Sequence, residues 1–242
     1  MSKMSTEIIS WQTTSPNLGK IFLGIHLAVT PVGISLVAES GLIAEMNLSY
    51  DRYFSENLIA EIEAFCQKNG VVLESLSGMG VTVGPGGYTG LRVGITCVKS
   101  ISQILGIPLY PINTLDALAF EYRHLAAVAF CLLPARTNEF NCALFTLNSP
   151  LPTRLTPTFT WSIDQAARVL SKIRGQSFVL GCLPPNLPQL LPVDTHLKIY
   201  PAQIHSATVA QLAFLASLEE GPPVLPAIRP VYSHDAIASR VK

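Results

Sequence analysis

Charged side chains are scarce in this 242-residue chain: Asp, Glu, Lys and Arg together make up 13% of it, about half the share usual in soluble domains. Sixteen basic and sixteen acidic residues cancel to zero net charge, and no block of five or six like charges occurs. A strong nucleic-acid binder clusters Lys and Arg to neutralise phosphates, so the chain by itself does not read as one. With so little charge and 49% hydrophobic residues, part of its surface is expected to be covered by a partner. The five cysteines (Cys66, Cys97, Cys131, Cys142, Cys182) are odd in number and contain no C-x-x-C pair. That pattern argues against a disulfide framework and fits reduced thiols in the cytoplasm.

Several chemical signatures are missing as well. No Gly-Lys-Ser/Thr closes the glycine-rich run at 84–94, which excludes a Walker A loop, and Thr89 stands where a G-x-G-x-x-G pattern needs glycine. There is no G-x-S-x-G nucleophile elbow. The histidines (His26, His124, His196, His205, His234) are too far apart in sequence to form a metal-binding pair on one helix face. His124, close to Glu121, reads as a helix-end histidine. Asp116 and Glu121 would make an acid–base pair only by chance placement; a carboxylate early in a helix is better explained by the helix dipole. No residue is therefore assigned a catalytic or metal role, and no cofactor is expected.

One uncharged stretch, Ile21 to Ala38, reaches the minimum length for a membrane span. Thr30-Pro31-Val32-Gly33 breaks it, so it reads as two strands, about 20–28 and 32–39, joined by a turn. No signal-peptide pattern is present, and a cytoplasmic location is expected.

What is present alternates between strands and helices. Residues 1–19 are polar and aperiodic, a flexible tail. Glu45 to Ser49 adds a strand, Ser55 suits the N-cap of a helix over 56–68, and Asn69-Gly70 ends it. Its apolar face carries Leu58, Ile62 and Phe65, widened by Ile59 and Cys66. A strand at 78–83 runs into the glycine loop, and the following helix stops at Gly106. A strand at 109–112 follows, Thr114 can cap a helix at about 115–124, and strands at 127–133 and 140–147 form a hairpin. The later chain is proline-rich, with a helix at about 163–173, a strand at 177–181, a helix at 206–218 and a tail over 221–242. Strands precede helices twice over, which predicts two α/β units, 20–115 and 116–220.

The densest signal is the run GPGGYTGLRVG from Gly84 to Gly94. Glycines between a strand and a helix serve either a tight turn or an anion cradle, and both readings stand at this point. Gly86, Gly87 and Thr89 are the candidates for the second. Beyond the loop, Gly90, Gly94 and Cys97 make a stripe of small residues, suited to close helix–helix contact or to packing on the chain's own sheet.

Residues Gly84 to Ala119 are similar to the signature of the TsaB family, also called YeaZ. There a G-P-G-S-F-T-G-L-R-I-G loop leads into a helix, then I-P-L and a Ser/Thr-Leu-acidic-Ala-Leu stretch. Gly84, Pro85, Gly86, Gly90, Arg92 and Pro108 fall on that motif, and Thr114-Leu115-Asp116-Ala117-Leu118 continues it. Pro134-Ala135-Arg136 resembles a D-A-R element, and Pro230-Val231-Tyr232 resembles a terminal P-x-Y. The resemblance implies two RNase H-like subdomains of the actin-like ATPase superfamily, with mixed sheets flanked by helices. It implies a non-catalytic dimerization subunit that supports a TsaD-type transferase in threonylcarbamoyladenosine modification of tRNA. A TsaE-type ATPase and an adenylate-forming TsaC-type enzyme would be functional partners, the chain alone would form a homodimer, tRNA would be met only indirectly, and no membrane is involved. Leu58, Ile59, Ile62, Gly90, Gly94 and Cys97 are the expected partner interface.

The chain departs from the family at three places. His26 stands where the first strand usually carries aspartate, Pro134 replaces a second aspartate, and Tyr53-Phe54-Ser55 replaces the His-Ser before the interface helix. Imidazole does not replace a carboxylate on Mg²⁺, which takes oxygen ligands, so autonomous ATP chemistry is not expected. The alternatives are a nucleotide-binding protein of the same superfamily and a glycoprotease-like hydrolase.

Overall fold

The computed structural model describes residues 19–49, 54, 56–172, 177–182, 189, 197–219 and 221–232. The expected N-terminal tail (save Gly19), the Ser55 cap, Tyr53, His196, His234 and the last ten residues lie outside the described residues.

Two sheets share one topology. In the first, β1 (Ile21–His26), β2 (Val32–Ala38), β3 (Gly41–Leu48), β4 (Gly78–Gly84) and β5 (Leu109–Asn113) lie in the order β3-β2-β1-β4-β5. β1, β2 and β3 pair antiparallel, whereas β4 and β5 run parallel to β1. In the second, β6 (Val128–Pro134) and β7 (Glu139–Thr146) make the hairpin. Two short strands, β8 (Thr153–Arg154) and β9 (Phe159–Ser162), pair with the far edge of β7. β10 (Ser177–Gly181) and β11 (Leu197–Pro201) extend the other side of β6 in parallel. This repeated antiparallel-then-parallel order is the RNase H-like arrangement expected from the sequence. It makes β1 and β6 equivalent strands, ending at His26 and Pro134 respectively.

The helices fill three layers. On the outer face of the first sheet, α1 (Leu58–Lys68) and α2 (Tyr88–Leu105) bury Leu58, Ile62, Cys66, Ile95, Val98 and Ile101 against Leu23, Ile25 and Ile34. Between the sheets lie α3 (Thr114–Glu121) and α5 (Ser206–Glu219), sharing one core with Phe22, Tyr110, Ala129, Cys131, Phe145 and Leu180. α4 (Ile163–Leu170) covers the outer face of the second sheet with Ala166, Ala167 and Leu170. Each large apolar side chain so buried contributes about 1.5–3 kcal/mol.

The helix ends follow local rules with two revisions. Gly106 closes α2 in the left-handed conformation (φ 70°), its N–H bonded to the Ser102 carbonyl at 2.9 Å. α3 is capped by Asn113 rather than Thr114: the Asn113 carbonyl oxygen accepts from the Leu115 N–H at 2.9 Å, while the Thr114 hydroxyl is buried without a partner. Asn is a better N-cap than Thr, and here it also accepts from Arg154 at 3.0 Å. α1 begins after Asn57, which makes no side-chain cap bond.

α5 was expected in the second unit, and it lies against the first sheet. Phe22 meets Phe214 edge-on at 5.5 Å. Gly24 of β1 and Gly80 of β4 let the helix come to backbone distance: a Cβ on Gly80 would stand 2.6 Å from the Val209 carbonyl oxygen and 2.8 Å from the Ala213 methyl. We place the junction of the two units between β5 and β6. Gly80→Val should lower stability by about 3 kcal/mol through overpacking, read from urea unfolding; an unchanged midpoint would contradict the α5 contact.

Candidate functional site

The ends of β1 and β4 and the first turn of α2 form one region. The Val83 carbonyl accepts from the Val231 N–H at 2.6 Å, which lays the C-terminal segment across the loop. Gly84 sits at φ +119°, and a side chain there would strike the Val231 carbonyl. The Gly87 N–H donates to the Ala28 carbonyl at 2.7 Å, and Gly86 packs on Ala28. Gly90 presses on the Leu27 carbonyl, and Gly94 lies beside the Leu27 side chain, 3.3 Å from where a Cβ would be. Of the three anion candidates, Gly86 and Gly87 therefore abut the chain's own backbone, and Thr89 is exposed, as is the outer edge of Gly87. Arg92 is exposed on α2, and Pro108 precedes β5, its carbonyl accepting from the Met79 N–H at 2.8 Å.

The small-residue stripe of α2 thus faces inward, and this corrects the expected interface. Leu58, Ile62, Gly90, Gly94 and Cys97 are buried within the chain, because the apolar face of each helix covers the first sheet. Ile59 alone of the six is exposed, at 55%. The surface between the helices is a groove of about 750 Å³, lined by Ile59, Ala60, Glu63, Arg92, Val93 and Thr96 among others. Of the six expected residues, Leu58, Ile59 and Cys97 line this groove, while Ile62, Gly90 and Gly94 turn into the chain's own core. The signal that could have separated them was spacing: the row Gly90, Gly94, Cys97 and Ile101 runs beside the apolar row Leu91, Ile95 and Val98, and the two together make one buried face.

His26 occupies the inner face of β1, two residues beyond Gly24, which touches the start of α5. It is fully buried, and neither ring nitrogen has a hydrogen-bond partner of ordinary geometry. Burial lowers its pKa to about 4; proximity to the Val29 backbone opposes this, and the charge of His205 adds slightly to it. A neutral, enclosed imidazole offers no carboxylate to a metal–phosphate group. Pro134, at the equivalent end of β6, is exposed and offers none either. Around the first turn of α5, Glu45 accepts from the Ala207 N–H at 2.7 Å and Asn47 accepts from the Ser206 N–H at 3.3 Å. These acceptors from β3 occupy the donors that a helix N-terminus would otherwise present to an anion.

Glu121 and Asp116 do not form an acid–base pair. Glu121 bonds Nδ1 of His205 at 3.0 Å and the Thr208 hydroxyl, not His124, which is exposed. Asp116 pairs with Arg154 at 2.8 Å; burial raises its pKa, and Arg154 offsets this only in part. All five cysteines are free, and burial pushes the Cys66 and Cys97 thiols up to about 11 and Cys142 to about 12. Such thiols stay protonated at neutral pH and are poor nucleophiles. Among the described residues no three His, Cys, Asp or Glu side chains converge for a metal, and no helix is long and apolar enough to cross a membrane.

The lowered pKa of His26 gives a signed pH dependence. The unfolded ring binds a proton below its ordinary pKa of about 6.5, and the folded ring only below about 4, so stability falls as pH drops through that window. Between pH 7.5 and 5 the loss attributable to His26 is about 2 kcal/mol. His26→Leu should flatten this part of the profile of urea midpoints against pH; an identical slope in the variant would exclude His26 as its source.

Residues 41–171, just over half of the chain, match the family described as TsaD: tRNA N6-adenosine threonylcarbamoyltransferase. The chain is 27% identical over 200 residues to the tRNA threonylcarbamoyladenosine biosynthesis protein TsaB of Bacillus subtilis (strain 168), covering 82% of this chain and 87% of that protein. It is 41% identical over 76 residues to a tRNA N6-adenosine threonylcarbamoyltransferase of Rhodopseudomonas palustris, a match spanning 31% of this chain and only 21% of the transferase. YeaZ from Pseudomonas aeruginosa superposes with a TM-score of 0.72 at 19% identity, over 88% of this chain and 99% of that one. A second Pseudomonas aeruginosa protein, described as similar to peptidase YEAZ, gives 0.74 at 16%, over 89% and 100%. The solved structures share the fold, and the sequence matches carry the relationship: the chain belongs to the TsaD family, and within it to the TsaB (YeaZ) branch.

Proposed function

We propose that this chain is a scaffold subunit, without catalytic residues of its own, in the threonylcarbamoyladenosine modification of tRNA. Its sequence likeness to TsaB supports a role in that modification and joint action with a TsaD-type transferase. The observation that carries the scaffold reading is the groove between α1 and α2, about 750 Å³ and open along Ile59, Val93 and Thr96. Its floor is apolar, Leu58 and Cys97, and its rim mixes Glu56 and Glu63 with Arg92. An apolar floor within a polar rim is the pattern of a protein interface. The buried neutral His26, the internally bonded glycine loop and the high thiol pKa values support the absence of catalysis.

Docking would place two helices of the partner along this groove, and the same surface would serve a homodimer of the isolated chain. A TsaE-type ATPase would join on the assembled pair, and the cytoplasm is the compartment where tRNA is met. Ile59→Arg and Val93→Arg should each cut capture of the TsaD-type subunit at least about ten-fold, since one interface anchor is worth 1.4 kcal/mol or more. Ile59→Arg, at an exposed position, should leave the melting temperature close to that of the parent, whereas Val93 is half-buried against the core and its variant is read only if its melt shows it folded. Gly94→Arg is not a suitable probe, because Leu27 already fills that space. Full capture by both variants would refute the groove as the docking site.

A further inference from the structure

On the side of α2 turned toward the C-terminal segment there is a second opening, about 470 Å³, lined by Arg92, Ile95, Thr96, Lys99, Ile228, Arg229, Pro230 and Tyr232. Three of these eight side chains are cations and none is acidic. That concentration is notable in a chain with zero net charge and only sixteen basic residues. Each cation is held in place by its own chain. The Arg92 Nε donates to the Tyr232 hydroxyl at 2.9 Å, with the guanidinium 4.1 Å from the Tyr88 ring. The Lys99 ammonium donates to the Ile228 carbonyl at 3.2 Å, and the Arg229 Nε donates to the Pro226 carbonyl at 3.4 Å. One donor of each group is used in these bonds; the remaining guanidinium and ammonium N–H groups suit an incoming anion. Arg92, Thr96 and Lys99 lie on one face of α2, so the two cations of the helix are spaced along it by two turns.

An aromatic pair borders the notch. Tyr88, 53% exposed, stacks on Tyr232 at 5.3 Å. Fixed cations beside an exposed aromatic ring, here Tyr88 backed by the half-buried Tyr232, are the combination that single-stranded nucleic acid uses, cations for phosphates and rings for bases. An acidic protein surface would need the cations but not the ring pair.

We infer that the notch formed by Arg92, Lys99 and Arg229 binds the phosphodiester backbone of RNA, so that this subunit touches the tRNA directly. The inference rests on the proposed place of the chain in a tRNA-modifying assembly and revises the expectation that tRNA is met only indirectly. Lys99 and Arg229 lie outside the α1–α2 groove, which separates the two sites experimentally.

The test is fluorescence anisotropy of a labelled RNA hairpin with a single-stranded loop, titrated with the full chain between about 50 and about 200 mM salt. The expected result is measurable binding at the lower salt, weakened about ten-fold or more in the double variant K99Q/R229Q. Its log–log salt slope should be shallower by about 1.4, from two lost phosphate contacts. Circular dichroism melting of the variant, both substitutions being near or at the surface, establishes that it is folded. Absence of RNA binding by the parent chain, or equal binding by the variant, would overturn the inference. So would competition by ATP, by inorganic phosphate or by an acidic peptide as effective as unlabelled RNA, which would assign the notch to a free nucleotide, an ion or a protein. Capture of the TsaD-type subunit by K99Q/R229Q should remain intact, while Ile59→Arg should lose capture and keep RNA binding. Failure of one site therefore leaves the other measurable.

Discussion

The contact on which the molecule depends is the approach of α5 to β1 and β4. Gly24 and Gly80 carry no side chain, so the helix backbone rests almost directly on the strands. On its other side the helix meets α3, which in turn packs on β6, β7 and β10, so the two helices together join both sheets into a continuous core. The same approach also buries Ser206 and aligns the first turn of α5 with Glu45 and Asn47, which satisfy its donors. Any larger residue at the two glycines would meet the α5 backbone first and push the helix off the first sheet.

The end of β1 is closed off inside the chain. His26 is enclosed and neutral, and the α5 donors already have acceptors on β3. The glycine loop follows the same logic. Its glycines admit the carbonyls of Leu27 and Ala28 and the passage of Val231 across Gly84. Close internal packing and an open phosphate cradle compete for the same backbone N–H groups, and the Gly87 donor is bonded internally. The two faces of α2 then part ways: the inward face seals the core, and the outward face borders both the apolar groove and the basic notch.

Much of this was legible in the sequence. The strand–loop–helix unit over 78–106 was, because glycine and apolar spacing change sharply there and Gly106 is a strong stop signal. The hairpin β6–β7 and the strand β10 were also legible from their apolar runs. β8, β9 and β11 were not, since they are two to five residues long, partly exposed and set among prolines. Such strands exist only because an edge of β7 or β10 offers hydrogen-bond partners, a condition no local pattern records. Likewise, Thr114 and Asn113 are both acceptable caps in sequence; the backbone turn and Arg154 chose Asn113.

By itself the sequence determined the order of the longer elements, the family and the pair of helices lining the outer layer, because periodicity and a long glycine motif are local properties of the chain. Only the tertiary structure decided which face of α2 is free, that α5 belongs to the inner side of the first sheet, and that Arg92, Lys99 and Arg229 meet. Those three cations are separated by up to 137 residues in the chain, and their juxtaposition follows from the Val83–Val231 hydrogen bond, a long-range contact.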